Sequence, residues 1–307
     1  MKLVRALGTL VLAITLGSLL VQAVSQGPNY ASTSSATGWT NPSNAVGTSD
    51  NVCAERTGSA GGSLDLTGFG FTIPDAAVIQ GITVEVDMAA TSSNEGVRVR
   101  LLKGSSPTTN FQDINGVAGQ TDCSTSAFRT VGSPTDLWGE TWTAADINNV
   151  NFGVRLSKLG SSNTAYVDAV RITVEYQDVM TVTVLSGGAL TANVNSASTV
   201  ESGKIEFLSQ TTLQVVSTKN WRVRATASVT SYPPGADDPT ANAVEIKNNL
   251  GVFTPAGGSG VIVQTGTPTP AAGITFTVDL RVMLDDFGDG KIGTYQFTVN
   301  YTIEEDI

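Results

Sequence analysis

The stretch Val170-Arg171-Ile172-Thr173-Val174-Glu175-Tyr176 decides the fold class. Apolar residues fall at every second position, with Arg171, Thr173 and Glu175 between them. Successive side chains of an extended strand point to opposite faces, so this segment has one buried face and one wet face. The same alternation runs through Ile82, Val84, Val86 and Met88, and through Val97, Val99 and Leu101. It returns toward the C-terminus in Trp221, Val223, Ala225, Ala227 and Val229, then in Ile274, Phe276, Val278, Leu280, Val282 and Leu284, and finally in Tyr295, Phe297, Val299, Tyr301 and Ile303. Helical periodicity is almost absent. Its one candidate is Thr143-Ala144-Ala145-Asp146, where a threonine N-cap and an acid three residues on make a capping box for a single turn. Many alternating strands with turns between them predict an all-β protein built of antiparallel β-sandwiches.

Charge suggests pairings within that class. Glu85 and Asp87 share a wet face in one strand, and Arg98 and Arg100 do so in the next. A hairpin of the two would set opposite charges across its ladder, and the wet faces otherwise read as solvated sheet surface. The turn-rich Asp285-Asp286-Phe287-Gly288-Asp289-Gly290 suits a hairpin loop between the last two strands.

The chain of 307 residues suggests two domains, with a seam near Gln177-Asp178. Lys2 and Arg5, the apolar run Ala6 to Val21, and Ala23-Val24-Ser25 read as a secretory leader over residues 1–25, cut before Gln26. The Ser-, Thr- and Gly-rich residues 26–38 read as a flexible arm, followed by sandwiches over 39–177 and 178–307. No second apolar run is long enough to span a membrane. The expectation is a protein secreted to the cell surface of a bacterium or archaeon.

Composition excludes several functions. The 307 residues hold no histidine, so there is no Ser-His-Asp triad, no Cys-His pair and no imidazole zinc site. A net charge of −10 without a basic tract makes the chain a poor partner for nucleic acid. The two cysteines, Cys53 and Cys123, read as a disulfide in an oxidising exterior, or else as two separate buried thiols.

A family likeness rests on Gly38-Trp39-Thr40-Asn41-Pro42-Ser43-Asn44-Ala45, Gly68-Phe69-Gly70-Phe71-Thr72-Ile73-Pro74, Asp136-Leu137-Trp138-Gly139 and the ending Val167 to Tyr176. Together they resemble a jelly-roll-like domain of bacterial exported surface and phage-tail proteins. That likeness covers about half the chain and implies no catalytic residues; the cysteines depart from its usual pattern. Residues 178–307 resemble immunoglobulin-like domains of bacterial envelope proteins and adhesins, through the closing strand Gly293 to Ile303.

Few residues carry candidate chemistry. Trp39, Trp138 and Trp142 are candidate glycan-stacking platforms, or else plugs for the ends of a sandwich. Asp285, Asp286 and Asp289 could offer oxygen ligands to calcium, although Phe287 breaks the EF-hand pattern, no glutamate sits at the twelfth position and a solvated loop explains them better. No other cofactor is expected. No acidic residue lies in a catalytic motif, so the chain reads as a non-enzymatic structural or adhesive surface protein. Its partners would be copies of itself or neighbouring surface proteins, and the arm 26–38 would be the strand to lend. The alternatives are a carbohydrate-binding module and a phage-derived receptor-binding component.

Overall fold

A computed structural model describes residues 9–16, 23–92, 94–117, 119–193, 202–237, 239–287 and 293–307. The chain divides into two compact units: Gln22–Gln177, and Asp178–Ile307 together with an N-terminal strand, Thr9–Leu16. Both are β-sandwiches. No described helix is long and apolar enough to cross a membrane.

The N-terminal strand is β1. The first unit then runs β2 (Ala23–Tyr30), β3 (Thr33–Thr37), β4 (Ala54–Thr57), β5 (Gly61–Thr67), β6 (Val78–Ala90), β7 (Gly96–Lys103), β8 (Ser106–Pro107), β9 (Gln112–Asn115), β10 (Ala127–Ser133), α1 (Ala144–Asn148), β11 (Gly153–Leu159) and β12 (Thr164–Gln177). One sheet has the order β10-β6-β12-β2, with β4 also on β12. The other has the order β3-β5-β11-β7-β8, with β9 also on β7. Inward residues of both sheets form one core: Val84, Val86, Val170 and Ile172 come from the first, and Leu64, Leu66, Val97, Val99 and Leu156 from the second. At about 25 cal/mol per Å² of apolar surface removed from water, this shared core is what holds the sheets together. The single-turn α1 carries the expected capping box, with the Thr143 hydroxyl accepting from the Asp146 amide at 3.1 Å.

Two features tie the loops of this unit down. Cys53 and Cys123 form a disulfide with Cα atoms 5.8 Å apart. Lys158, on β11, is only 2 % exposed and points into the protein rather than toward water. Its ammonium donates to the Glu95 carboxylate, to the Leu159 carbonyl at 3.0 Å and to the Gly160 carbonyl at 3.1 Å. Glu95 also accepts from the amides of Ser162 and Asn163. Burial pushes the Glu95 carboxyl up, but these hydrogen bonds outweigh it and hold the group below its ordinary value.

The second unit adds β13 (Met180–Ser186), β14 (Ala189–Asn193), β15 (Lys204–Ser217), β16 (Trp221–Ser231), β17 (Val244–Lys247), β18 (Phe253–Pro255), β19 (Val261–Gly266), β20 (Ile274–Met283) and β21 (Tyr295–Glu305). Its sheets run β14-β1-β21-β16-β19 and β13-β15-β20-β17-β18. Trp221, Tyr295, Phe297 and Tyr301 from one sheet meet Leu213, Val215, Leu280 and Val282 from the other. The Trp221 indole N–H donates to the Thr267 carbonyl at 2.9 Å, so the ring is buried without an orphaned donor.

Two expectations are corrected. The two expected hairpins do not form: β6 and β7 lie in opposite sheets, as do β20 and β21. Glu85 pairs instead with Arg171 on β12, through two hydrogen bonds of 2.8 and 2.9 Å. β6 takes its ladder neighbours from β10 and β12, and β20 from β15 and β17, so the chain crosses to the other layer after each of them. Residues 26–38 are likewise not an arm. β2 pairs with β12 and β3 with β5, and Gln26 exchanges hydrogen bonds of 2.9 and 3.0 Å with Thr72. Ser and Thr suit an edge strand as well as a linker, because the ladder is made by backbone and a polar edge resists stray pairing. Within the apolar run, residues 9–16 form β1, which lies between β14 and β21.

Candidate binding face

The tryptophans proposed as sugar platforms are all buried in the first core: Trp39 is 7 % exposed, Trp138 3 % and Trp142 8 %. The Trp138 indole donates to the Ile82 carbonyl at 2.9 Å, and that of Trp142 to the Leu137 carbonyl at 3.0 Å. Trp142 meets Phe152 edge to face at 5.6 Å. None presents a flat face to a ligand, so the plugging role is the one they fill. Of the calcium candidates, Asp285 lies in a 3₁₀ turn over Leu284–Phe287, Asp289 falls outside the described residues, and the Asp286 side chain is likewise outside them. Among the described residues no group of three or more Cys, Asp or Glu side chains could hold a metal ion.

The outer face of the β3-β5-β11-β7 sheet is different. Alternation turns Val97, Val99 and Leu101 inward on β7, leaving Arg98 and Arg100 on the wet side. The register sets Arg100 opposite Arg155 on β11, Arg155 opposite Asp65 on β5, and Asp65 opposite Ser35 on β3. Arg155 grips Asp65 through two hydrogen bonds of 2.6 and 2.7 Å. Arg98 grips Asp113, beside it on β9, through two of 2.8 and 2.9 Å. Each carboxylate raises the pKa of the guanidinium it holds, so both arginines keep their charge.

Arg100 has no such partner. Among the described residues it makes no ion pair, and its buried Nε has no hydrogen-bond acceptor. It faces a like charge in Arg155, across a ladder where like charges oppose pairing. Its neighbours take the carboxylates nearby, so its terminal nitrogens, rather than the buried Nε, are the donors suited to a carboxylate from outside.

Phe111 stands beside it. This ring is 42 % exposed, with the Arg98 guanidinium 3.5 Å from its centroid and that of Arg100 at 5.1 Å. Its exposure is fixed by its neighbours. The Asn110 amide donates to the Trp138 carbonyl at 2.9 Å, and that of Gln112 to Asp136 at 2.7 Å, while the Gln112 oxygen accepts from the Gly132 amide at 3.0 Å. With both flanking side chains anchored in the unit, alternation turns Phe111 outward. Trp138 thus serves this face indirectly: its backbone, at a left-handed φ of 57°, presents the carbonyl that Asn110 takes. The sequence placed Arg98 and Arg100 on a wet face but did not single out Phe111. Its signal, an aromatic residue between two amide side chains, is ambiguous until Asp136 and Trp138 are seen beside it.

No family model matches the chain, and no curated protein does. Among solved structures, a fucolectin from striped bass (Morone saxatilis) serum aligns with 10 % identity and a TM-score of 0.32, over 91 % of this chain and 99 % of that one. The lectin domain of lectinolysin, a His-substituted form bound to Lewis b, aligns with 12 % identity and a TM-score of 0.29, over 46 % and 91 %. A family-35 carbohydrate-binding module from Paenibacillus barcinonensis gives 10 % and 0.29, over 49 % and 97 %.

Proposed function

We propose that the first unit is a non-enzymatic glycan-binding module that takes acidic saccharides on the face of Phe111, Arg98 and Arg100, within a protein exported to the cell surface. The observation that carries this reading is the unpaired Arg100 guanidinium beside a ring held open to solvent. A sugar ring offers C–H groups to an aromatic face, and a uronate-type carboxylate offers two oxygens to a guanidinium fork. A flat face of this kind fits a polysaccharide passing over it better than a small molecule needing enclosure. A leader cut before Gln26, with the chain secreted or held at the cell surface, completes the reading.

The test is binding of the whole chain to a panel of acidic and neutral polysaccharides, read by affinity electrophoresis. Retention by uronate-containing polymers and not by neutral ones is expected, weakening as salt is raised. Arg100→Ala should weaken retention roughly tenfold, since a charge-assisted hydrogen bond is worth about 1.5–3 kcal/mol. Phe111→Ala should act in the same direction. Retention unchanged in both variants, or absent from the parent, refutes the face.

A further inference from the structure

The second unit contains an element that does not belong to it in sequence. β1 is separated from the other strands of that unit by the whole of the first, yet it lies between two of them. Leu10 to Leu16 run parallel to Tyr295 to Tyr301 of β21, while Thr9 to Ala13 run antiparallel to Asn193 to Ala189 of β14. Every other strand pair among the described residues is antiparallel. Leu12 is fully buried between Leu190 and Phe297, themselves buried, and Ala13 is exposed. The apolar run therefore carries strand alternation, with Leu10, Leu12, Ile14 and Leu16 at one parity and Thr9, Val11, Ala13 and Thr15 at the other.

Removing this strand has definite consequences. β14, five residues long, has β1 as its only strand partner among the described residues. β21 would keep β16 on one side and lose its hydrogen-bonded neighbour along seven residues on the other. Two rows of backbone donors and acceptors would be left open above a vacated leucine site, the arrangement that recruits a strand from another chain.

We propose that the slot between β14 and β21 is a strand-acceptor site, held by residues 9–16 of the chain's own leader and, once the leader is cut away, filled by an extended segment of another polypeptide. That segment carries leucine or isoleucine at alternate positions, runs parallel to β21, and seats one aliphatic side chain at the Leu12 position between Leu190 and Phe297. The inference rests on the leader reading of the preceding section. It assigns the second unit an attachment role separate from the saccharide face of the first.

The test uses the full chain, with a protease site placed between Leu16 and Ala23, folded whole and then cut. A labelled peptide of the sequence of residues 9–16, with a lysine tail for solubility, is added in excess. Stoichiometric uptake only after cutting, with loss of the chain's own segment, is the expected result. A peptide carrying Leu12→Asp should be taken up at least tenfold less, and hydrogen exchange should show the Tyr295–Tyr301 amides protected again when the unmodified peptide binds. If cutting unfolds the second unit, its restoration by the peptide supports the proposal equally. Departure of the segment without uptake, its retention against excess peptide, unfolding without rescue, or equal uptake of the Asp peptide overturns it. N-terminal sequencing of the exported protein tests the leader reading apart from this: a start at Met1 means that the slot is never vacated, and it overturns the proposal by that route.

Discussion

The two sandwiches are built from the same alternating strands, but they secure their edges by different means. The first uses contiguous chain: Gln22 to Gln177 supplies every strand, a disulfide joins two of its loops, and a buried Lys158–Glu95 pair clasps a third. The second has no cysteine and closes one sheet with a strand from beyond the other unit. Its ion pairs include partly exposed ones such as Arg222 and Arg224 on Glu304, and none among the described residues is as buried as Lys158 on Glu95. Surface pairs of this kind contribute about 0–1 kcal/mol each, while a buried pair punishes the loss of either partner heavily. The comparison teaches that similar cores can differ in what is removable. The first unit has internal clasps, whereas the second depends on one strand that could come from elsewhere.

The sharpest way to break this contrast is Lys158→Ala. It strands the Glu95 carboxylate in a buried site and should cost the first unit about 3–5 kcal/mol, with the calorimetric transition of the second unmoved. Replacing Cys53 and Cys123 together by serine should lower that same transition, by about 2–5 kcal/mol for the lost loop constraint. Leu12→Ala should do the converse, destabilising only the second unit by about 2–5 kcal/mol through the cavity between Leu190 and Phe297. Any of the three that moves both transitions equally would erase the distinction.

The smallest effect is one of pH. The hydrogen bonds from Arg224 and Arg222 hold the Glu304 carboxyl below its ordinary value. A carboxylate with a depressed folded pKa stabilises fully above its unfolded value, about 4.3, and loses that contribution as pH falls through the lower folded one. Glu304→Gln should therefore flatten the acid limb of the second unit's stability below about pH 4. The magnitude is under about 1 kcal/mol, because the pair is about one-third exposed and screened by solvent. Thermal melts between pH 3 and 6 measure it.

Much of this architecture was legible in the residues. Alternation marked Ile82–Met88, Val97–Leu101, Val170–Tyr176, Trp221–Val229 and the last two long strands, since each has one face in a core. Pairing was not legible. Charge complementarity between Glu85/Asp87 and Arg98/Arg100 pointed to a hairpin, but the same charges find Arg171 and Asp113 as readily, and a weak surface attraction cannot select between them. The strands within 26–38 and 9–16 were hidden for opposite reasons. One was too polar to look like a strand, although an edge strand needs only its backbone; the other was so apolar that its alternation was hidden within a leader-like run. The candidate face was half visible, with Arg98 and Arg100 on the wet side. The unpaired state of Arg100 and the outward turn of Phe111 depend on Arg155, Asp136 and Trp138, which no local pattern brings together.

The pairing of Leu10 with Tyr295 also bears on the order in which the molecule can be finished. β1 is made well before β21, so the strand must wait, unpaired, while the residues between them are synthesised. The first unit can fold during that interval, because all of its partners precede Asp178. Contacts across such a span are slow to form, since they join the most distant parts of the sequence. Closure of the second sheet therefore follows folding of the first unit, and a chain halted before β21 would carry a folded first unit and an unpaired apolar strand.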